Sequence, residues 1–265
     1  MHLTELADGL DHPEGVCWDA DAGVLWAGGE AGQLYRVTLE GGVEEVTRLP
    51  HFVLGLALDA SGAVYACCRQ AGVWRWDGEP VRIADDIAFA NFPAFGPDGT
   101  LYVSDSGSGW GTNDGCVLAG GEVLSRDAPH FTNGLAVTPD GGWLWVAESF
   151  EPRLGRIELA TGRYEEIVRI HGTVPDGLAL EAAGGVVITC YRPDRIYHLS
   201  PGGELTIVAE DPQGTVLAAP TNVCFAGEEL DRMVVANLGR WHLTAVDRTG
   251  LRGVPLHRPR KEATR

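Results

Sequence analysis

Apolar and polar residues alternate in short runs along most of this chain, and each run stops at a turn rich in Gly and Asp. A period of two with tight turns between runs predicts antiparallel hairpins. The runs group into six similar segments. They are "EGVCWDADAGVLWAGG" from Glu14, "LGLALDASGAVYACC" from Leu54, "FPAFGPDGTLYVSDS" from Phe92, "NGLAVTPDGGWLWVAES" from Asn133, "DGLALEAAGGVVITCY" from Asp176 and "NVCFAGEELDRMVVAN" from Asn222. The starts are 40, 38, 41, 43 and 46 residues apart. Each segment reads as strand, turn, strand, and in most a third strand follows, such as "GQLYRVTL" or "RLGRIEL". A repeat near forty residues with about four strands per unit predicts an all-β, six-bladed β-propeller. A β-sandwich is the alternative, and six matching segments weigh against it. Residues 1–258 are read as the single propeller domain and 259–265, which lack an apolar pattern, as a flexible C-terminal tail. "LTELA" (3–7) is expected to complete the last blade beside "LTAVD" (243–247).

Composition narrows the partners. The chain has 265 residues, 45% hydrophobic and 22% charged, with 36 glycines, which suits a turn-rich globular domain with a large core. The net charge of −17 argues against nucleic acid and anionic membranes, both of which select basic faces, and leaves a small-molecule substrate. The first ten residues carry neither a basic start nor a long apolar run, so a cytoplasmic location is expected. Six scattered cysteines without a CxxC spacing are expected to be reduced core thiols. Composition does not bear on oligomeric state.

In a propeller the first strand of every blade lines the central channel, so residues at one register point into one mouth. That register holds Glu14, Leu54, Phe92, Asn133, Asp176 and Asn222, with Asn91 one place earlier in the third blade. Singly, Asn, Asp or Glu before Gly is a common turn former. Two carboxylates and several amides converging from separate blades instead call for a cation, and oxygen-only ligands suit Ca²⁺, Mg²⁺ or Mn²⁺ better than Zn²⁺. A second ring is expected at the ends of the second strands: Gly29, Cys68, Asp105, Glu148, Tyr191 and Asn237. Among these, Asp105 and Glu148 are candidates for proton transfer. Trp110, in the Gly-rich "GSGWG", is expected to overhang the mouth, and His12 and His130 lie close in sequence to the ring.

Glu14, Asn133-Gly134 and Asp176-Gly177, together with "TNGLAVTPDGGWLWVAES" and "VPDGLAL…CYRPDRIYHLSPGG", resemble the senescence marker protein (regucalcin)/gluconolactonase family. The resemblance spans nearly the whole chain. It implies a six-bladed propeller with one divalent cation in the channel, Ca²⁺ foremost and Mg²⁺, Mn²⁺ or Zn²⁺ as alternatives, and metal-dependent hydrolysis, commonly of lactones. The ligands it implies are Glu14, Asn133 and Asp176, with Asn91 of "FANFPAF" as a fourth. Sugar-lactonase members carry an Arg two residues before that Asn, where this chain has Phe89. With Phe92 and Phe95 nearby, this side of the mouth is expected to be apolar, which favours a less polar ester or lactone than gluconolactone.

The expected activity is therefore hydrolysis of a lactone or small ester. Asp176 would be both ligand and general base, with Glu148 or Asp105 in reserve, and Phe89, Asn91, Phe92, Trp110, His130 and Tyr191 would meet the substrate. "LWVAES" is also similar to strictosidine synthase-like propellers, so a cyclase, lyase or condensing enzyme is an alternative, as is a non-catalytic metal-binding propeller. No GxSxG elbow, HExxH pair or phosphate loop occurs.

Overall fold

The computed structural model describes residues 2–260. Twenty-four strands form six four-stranded antiparallel sheets, the six blades expected from the repeat. The inner strands are Val16–Asp19, Val53–Leu58, Ala90–Phe95, Thr132–Val137, Val174–Leu180 and Pro220–Ala226, in blades 1 to 6. Their burial is nearly complete, because one face packs on each neighbouring blade, so they read as continuous apolar runs. The outermost strands, such as Tyr164–Arg169, are half-buried or exposed along their length and carry charged residues. Apolar clusters fill the spaces between successive blades: Ala136 and Trp145 of blade 4, for example, pack on Leu178 and Ile188 of blade 5. All six cysteines are buried and free.

His2–Asp8 pairs antiparallel with His242–Asp247 and so supplies the fourth strand of blade 6, closing the ring between the two ends of the chain. Deleting residues 1–8 exposes the edge of His242–Asp247, where Leu243, Ala245 and Val246 are fully buried. The melting temperature is expected to fall by roughly 5 °C or more. An unchanged melting curve would mean that blade 6 is held without this strand.

The C-terminal segment crosses the channel at the end opposite the register of Glu14 and Asp176. Val254 N donates to Leu180 O (3.3 Å), His257 Nε2 meets Thr138 O (2.9 Å), and Arg258 pairs with Asp19 and Asp21 (3.0 Å each). Leu256, His257 and Arg258 thereby cover a small cavity of ≈ 90 Å³ at that end. Of the tail expected at 259–265, Pro259 O accepts a hydrogen bond from Ala60 N (3.0 Å), and residues 261–265 lie outside the described residues. The Glu14/Asp176 end opens on a cavity of ≈ 290 Å³, and a second cavity, of ≈ 590 Å³, lies beside the strap between Trp18, Phe225 and Leu256.

Candidate metal centre and active site

Five of the six inner strands carry a β-bulge at the same place. In blade 4, Thr132 pairs with Glu148 and Leu135 with Val146, so two residues, Asn133 and Gly134, oppose the single Ala147. The same extra residue falls at Leu54-Gly55, Asn91-Phe92, Asp176-Gly177 and Thr221-Asn222. A bulge breaks the strict alternation of a strand and re-aims the side chain beside it. Here it turns Asn91, Asn133 and Asp176, along with Glu14 from the loop before Val16, into one cavity of ≈ 290 Å³.

The glycines at this register do not serve as turn residues. Gly15, Gly55, Gly134 and Gly177 all have ordinary negative or extended φ. They are needed for close approach between blades: a Cβ on Gly15 would sit 1.9 Å from Leu54 O, and one on Gly134 would sit 2.3 Å from Asp176 O.

The bulge also corrects two expectations about register. Asn91, not Phe92, is the structural counterpart of Asn133, and Phe92 occupies the place of Gly134; its ring, like Phe95, lines the cavity at the far end of the channel. In blade 6 the counterpart is Thr221, which lines the mouth, while Asn222 braces Glu14 through Nδ2 to the backbone oxygen (2.9 Å) and to Oε2 (3.0 Å).

The second ring is likewise shifted by one residue, except at Tyr191, which lines the mouth as expected. Glu30, Arg69, Ser149, Tyr191 and Leu238 line the mouth, each one place beyond the strand position at which Asp105 and Glu148 stand. Glu148 is fully buried and faces away, accepting from Arg153 Nε, from His130 N (2.9 Å) and from Tyr164 OH (3.4 Å). Asp105 accepts the N–H groups of Ala88 (3.2 Å), Phe89 (2.9 Å) and Gly107 (3.0 Å), which anchors the loop carrying Phe89. Both carboxylates are thus spent on loop anchoring, outside the cavity. The His130 side chain does not line it either.

The serines that follow them were absent from the sequence reading and decide how the amides point. Ser106 Oγ gives its one proton to Thr132 O (2.7 Å), and Ser149 Oγ gives its own to Pro175 O (2.7 Å). Each hydroxyl then accepts, from Asn91 Nδ2 (2.9 Å) and Asn133 Nδ2 (3.1 Å). With their nitrogens committed, Asn91 and Asn133 present Oδ1 to the channel. These two oxygens, Asp176 Oδ1 and Asn222 Oδ1 are buried without any hydrogen-bond partner. Each such orphaned acceptor costs about 1–3 kcal/mol, and those of Asn91, Asn133 and Asp176, which line the cavity with Glu14, make an oxygen-only donor set of the kind a hard divalent cation satisfies. The residues present therefore fit the ion.

Burial pushes the Glu14 carboxyl well above its ordinary range, helped by the neighbouring Asp176 charge and opposed by Asn222. Burial likewise pushes Asp176 from 3.8 up to about 7. An acid whose folded pKa is raised binds more protons in the native than in the unfolded state, so stability falls as pH rises through the interval between the two values. Metal-free protein is accordingly expected to melt at a higher temperature near pH 5 than near pH 8, and a saturating divalent cation should reverse the order. A metal-free melting temperature that rises across this range would contradict the buried, uncompensated carboxylates.

An aromatic wall rises over the ligands. Phe131 is at its centre, stacked on Trp110 (5.1 Å, 22°) and set against Phe150 (5.0 Å) and Phe89 (5.4 Å). Trp110 is 68% exposed and overhangs the mouth as expected. Phe131 has φ +61°, a left-handed conformation that costs a bulky residue about 1–3 kcal/mol. It is held there two residues before Asn133 by its ring contacts. Tyr191 lines the mouth from blade 5, its ring centre 4.7 Å from the Arg192 guanidinium.

At the rim, Asp11, His12 and Glu30 bring one ligand atom each within 4.8 Å of one another. His12 Nδ1 meets Asp11 Oδ1 (3.0 Å) and Glu30 Oε2 (3.4 Å), and Asp11 Oδ2 accepts from Ala31 N and Gln33 Nε2. These groups satisfy one another, whereas the channel oxygens do not.

A 6-deoxy-6-sulfogluconolactonase from Pseudomonas putida is 27% identical over 248 residues, covering 83% of this chain and 81% of that protein. A calcium-binding regucalcin from Agrobacterium tumefaciens superposes with a TM-score of 0.78 at 18% identity, over 97% of this chain and 98% of the other. A gluconolactonase from Xanthomonas campestris does so with a TM-score of 0.77 at 19% identity, over 92% and 88%. At such identities the two structures establish the shared fold. Residues 12–238, which contain Glu14, Asn91, Asn133 and Asp176, match the family model for the SMP-30/gluconolactonase/LRE-like region, and the chain belongs to that family.

Proposed function

We propose that this propeller is a divalent-metal-dependent lactonase acting on a small lactone with an apolar body. The observation that carries the reading is the set of orphaned buried oxygens on Asn91, Asn133 and Asp176 at the floor of a cavity walled by Phe89, Phe131 and Phe150. A bound divalent cation would supply Lewis acidity to a carbonyl and lower the pKa of a nearby water. Glu14 is held by Asn222, so Asp176 is the carboxylate free to take the proton of the attacking water. Ser106 and Ser149 keep the two amide oxygens in place throughout, and the aromatic wall sheds water from the substrate ring. A relative whose name is that of a lactonase supports the reaction class.

Phe89 lines the mouth at the position where sugar lactonases carry an Arg, so polyhydroxylated rings lose a hydrogen-bonding partner while alkyl or aryl substituents gain roughly 0.8 kcal/mol per buried methylene. The test is a panel of γ- and δ-lactones, open-chain esters and gluconolactone, assayed with added cation and after chelation. Lactone turnover that disappears on chelation, and is faster for an alkyl-substituted lactone than for gluconolactone, is expected. Rates indifferent to chelation would overturn the metal dependence, and gluconolactone as the best substrate would overturn the apolar preference.

A further inference from the structure

Arg69 is the one cationic side chain lining the mouth among the described residues. It stands just beyond the second strand of blade 2, at the position that Ser106 and Ser149 occupy in blades 3 and 4. In those blades the residue braces an asparagine. Blade 2 presents Leu54 in place of a ligand, so Arg69 has no amide to orient.

In a chain with 37 acidic and 20 basic residues, arginines are readily paired, as Arg75, Arg153 and Arg258 are. Arg69 is not: it forms no ion pair among the described residues, and its Nε is buried without a hydrogen-bond partner. The guanidinium instead lies 5.3 Å from the centre of the Phe89 ring. A cation–π contact of this kind restrains a guanidinium while leaving its N–H donors available to whatever fills the cavity. A partly desolvated, pre-oriented guanidinium without a protein partner is a receptor for a planar or tripodal oxyanion.

We propose that Arg69 is the anion-binding residue of this site, and that the lactone it takes carries a second, negatively charged oxygen group, a carboxylate or a sulfonate. This rests on the lactonase reading for the substrate class but not for the anion site itself. The apolar body of the substrate lies against the Phe131 wall, its carbonyl over the ligand cluster, and its anion on Arg69. The Arg that Phe89 lacks is in this way supplied from the neighbouring blade, at a different angle, with the aromatic ring as its platform.

Two measurements on the cation-loaded protein test the proposal separately from the reaction. Titration calorimetry with p-toluenesulfonate and its neutral sulfonamide asks only about binding. The sulfonate is expected to bind at least about tenfold more tightly, Arg69→Met to abolish the difference, and Arg69→Lys to retain part of it. In steady-state assays, a γ-butyrolactone bearing a ring carboxylate should exceed its carboxamide in kcat/KM by about 10- to 100-fold, mainly through KM. Arg69→Met should bring that ratio near one while metal content stays unchanged. Equal binding of the two probes by the wild type, or an Arg69→Met variant that weakens charged and neutral ligands alike, would overturn the anion site. Sulfonate binding that depends on Arg69 in a protein that hydrolyses neither lactone would keep the anion site and discard the lactonase reading. If Arg69→Met does not fold, Arg69→Lys and the wild-type probe comparison carry the decision.

Discussion

Asp176→Ala is expected to lower kcat/KM for a lactone by about 10³-fold, because one residue both ligates the ion and takes the proton of the attacking water. The effect should appear in kcat, with divalent-metal content falling below one equivalent. Stability should move in the opposite direction. Asp176 is buried beside Glu14, and in metal-free protein its charged form is opposed by burial. Asp176→Asn keeps the shape and removes that charge, so the chelated variant is expected to melt about 3 °C or more above the chelated wild type near neutral pH. Loss of activity with gain of metal-free stability separates a functional carboxylate from a structural one. A variant that loses both would show that Asp176 belongs to the scaffold.

Gly134→Ala should be among the most damaging single-methyl changes in the fold. The added Cβ would meet Asp176 O at 2.3 Å, Gly177 Cα at 2.9 Å and Leu178 N at 3.0 Å, all backbone atoms of the neighbouring inner strand that cannot rotate away. Blades 4 and 5 must then separate, at a cost of about 3 kcal/mol or more, or roughly 6–12 °C in melting temperature. Because the collision is with the carbonyl of Asp176 itself, metal affinity should fall with it. Gly202→Ala is the control: its new methyl would have Ser200 Oγ 3.7 Å away as its nearest neighbour, and a shift within about 0.5 kcal/mol is expected. Equal, small shifts for the two variants would show that the inner strands are not packed backbone to backbone.

These two sites mark where the sequence could and could not be read. The blade count was legible because each blade needs the same strand, turn, strand pattern to bury its faces, and that need recurs near every forty residues. Glu14, Asn133 and Asp176 were legible as a convergent set because the inner strands run the same way around one channel. Residues beyond them were misplaced for a local reason. Period-two counting assumes an unbroken ladder, and the bulges at Asn91-Phe92 and Asn133-Gly134 insert a residue at the point where the count matters. Parity therefore failed at Phe92, Asp105 and Glu148. It hid Ser106, Ser149 and Arg69, whose roles rest on the neighbouring blade: both serines donate to a carbonyl 26 residues away in the chain. The Gly after Glu14, Asn133 and Asp176 reads as a turn signal in the sequence, although close approach and positive φ are separate reasons for glycine. The strap of Val254–Pro259 across the far end had no periodicity to announce it, since its polar side chains bind loop carbonyls and carboxylates.

The account stands or falls on whether the orphaned oxygens hold a catalytic ion. Metal-free protein should be prepared by chelation and titrated with Ca²⁺, and in parallel with Mn²⁺, while lactone hydrolysis and bound metal are followed together. Activity is predicted to start near zero and to rise linearly to a plateau at one bound equivalent, with Asn133→Ala and Asp176→Ala failing to recover. Full activity in the chelated protein, or recovery that is unaffected by those two substitutions, would contradict it.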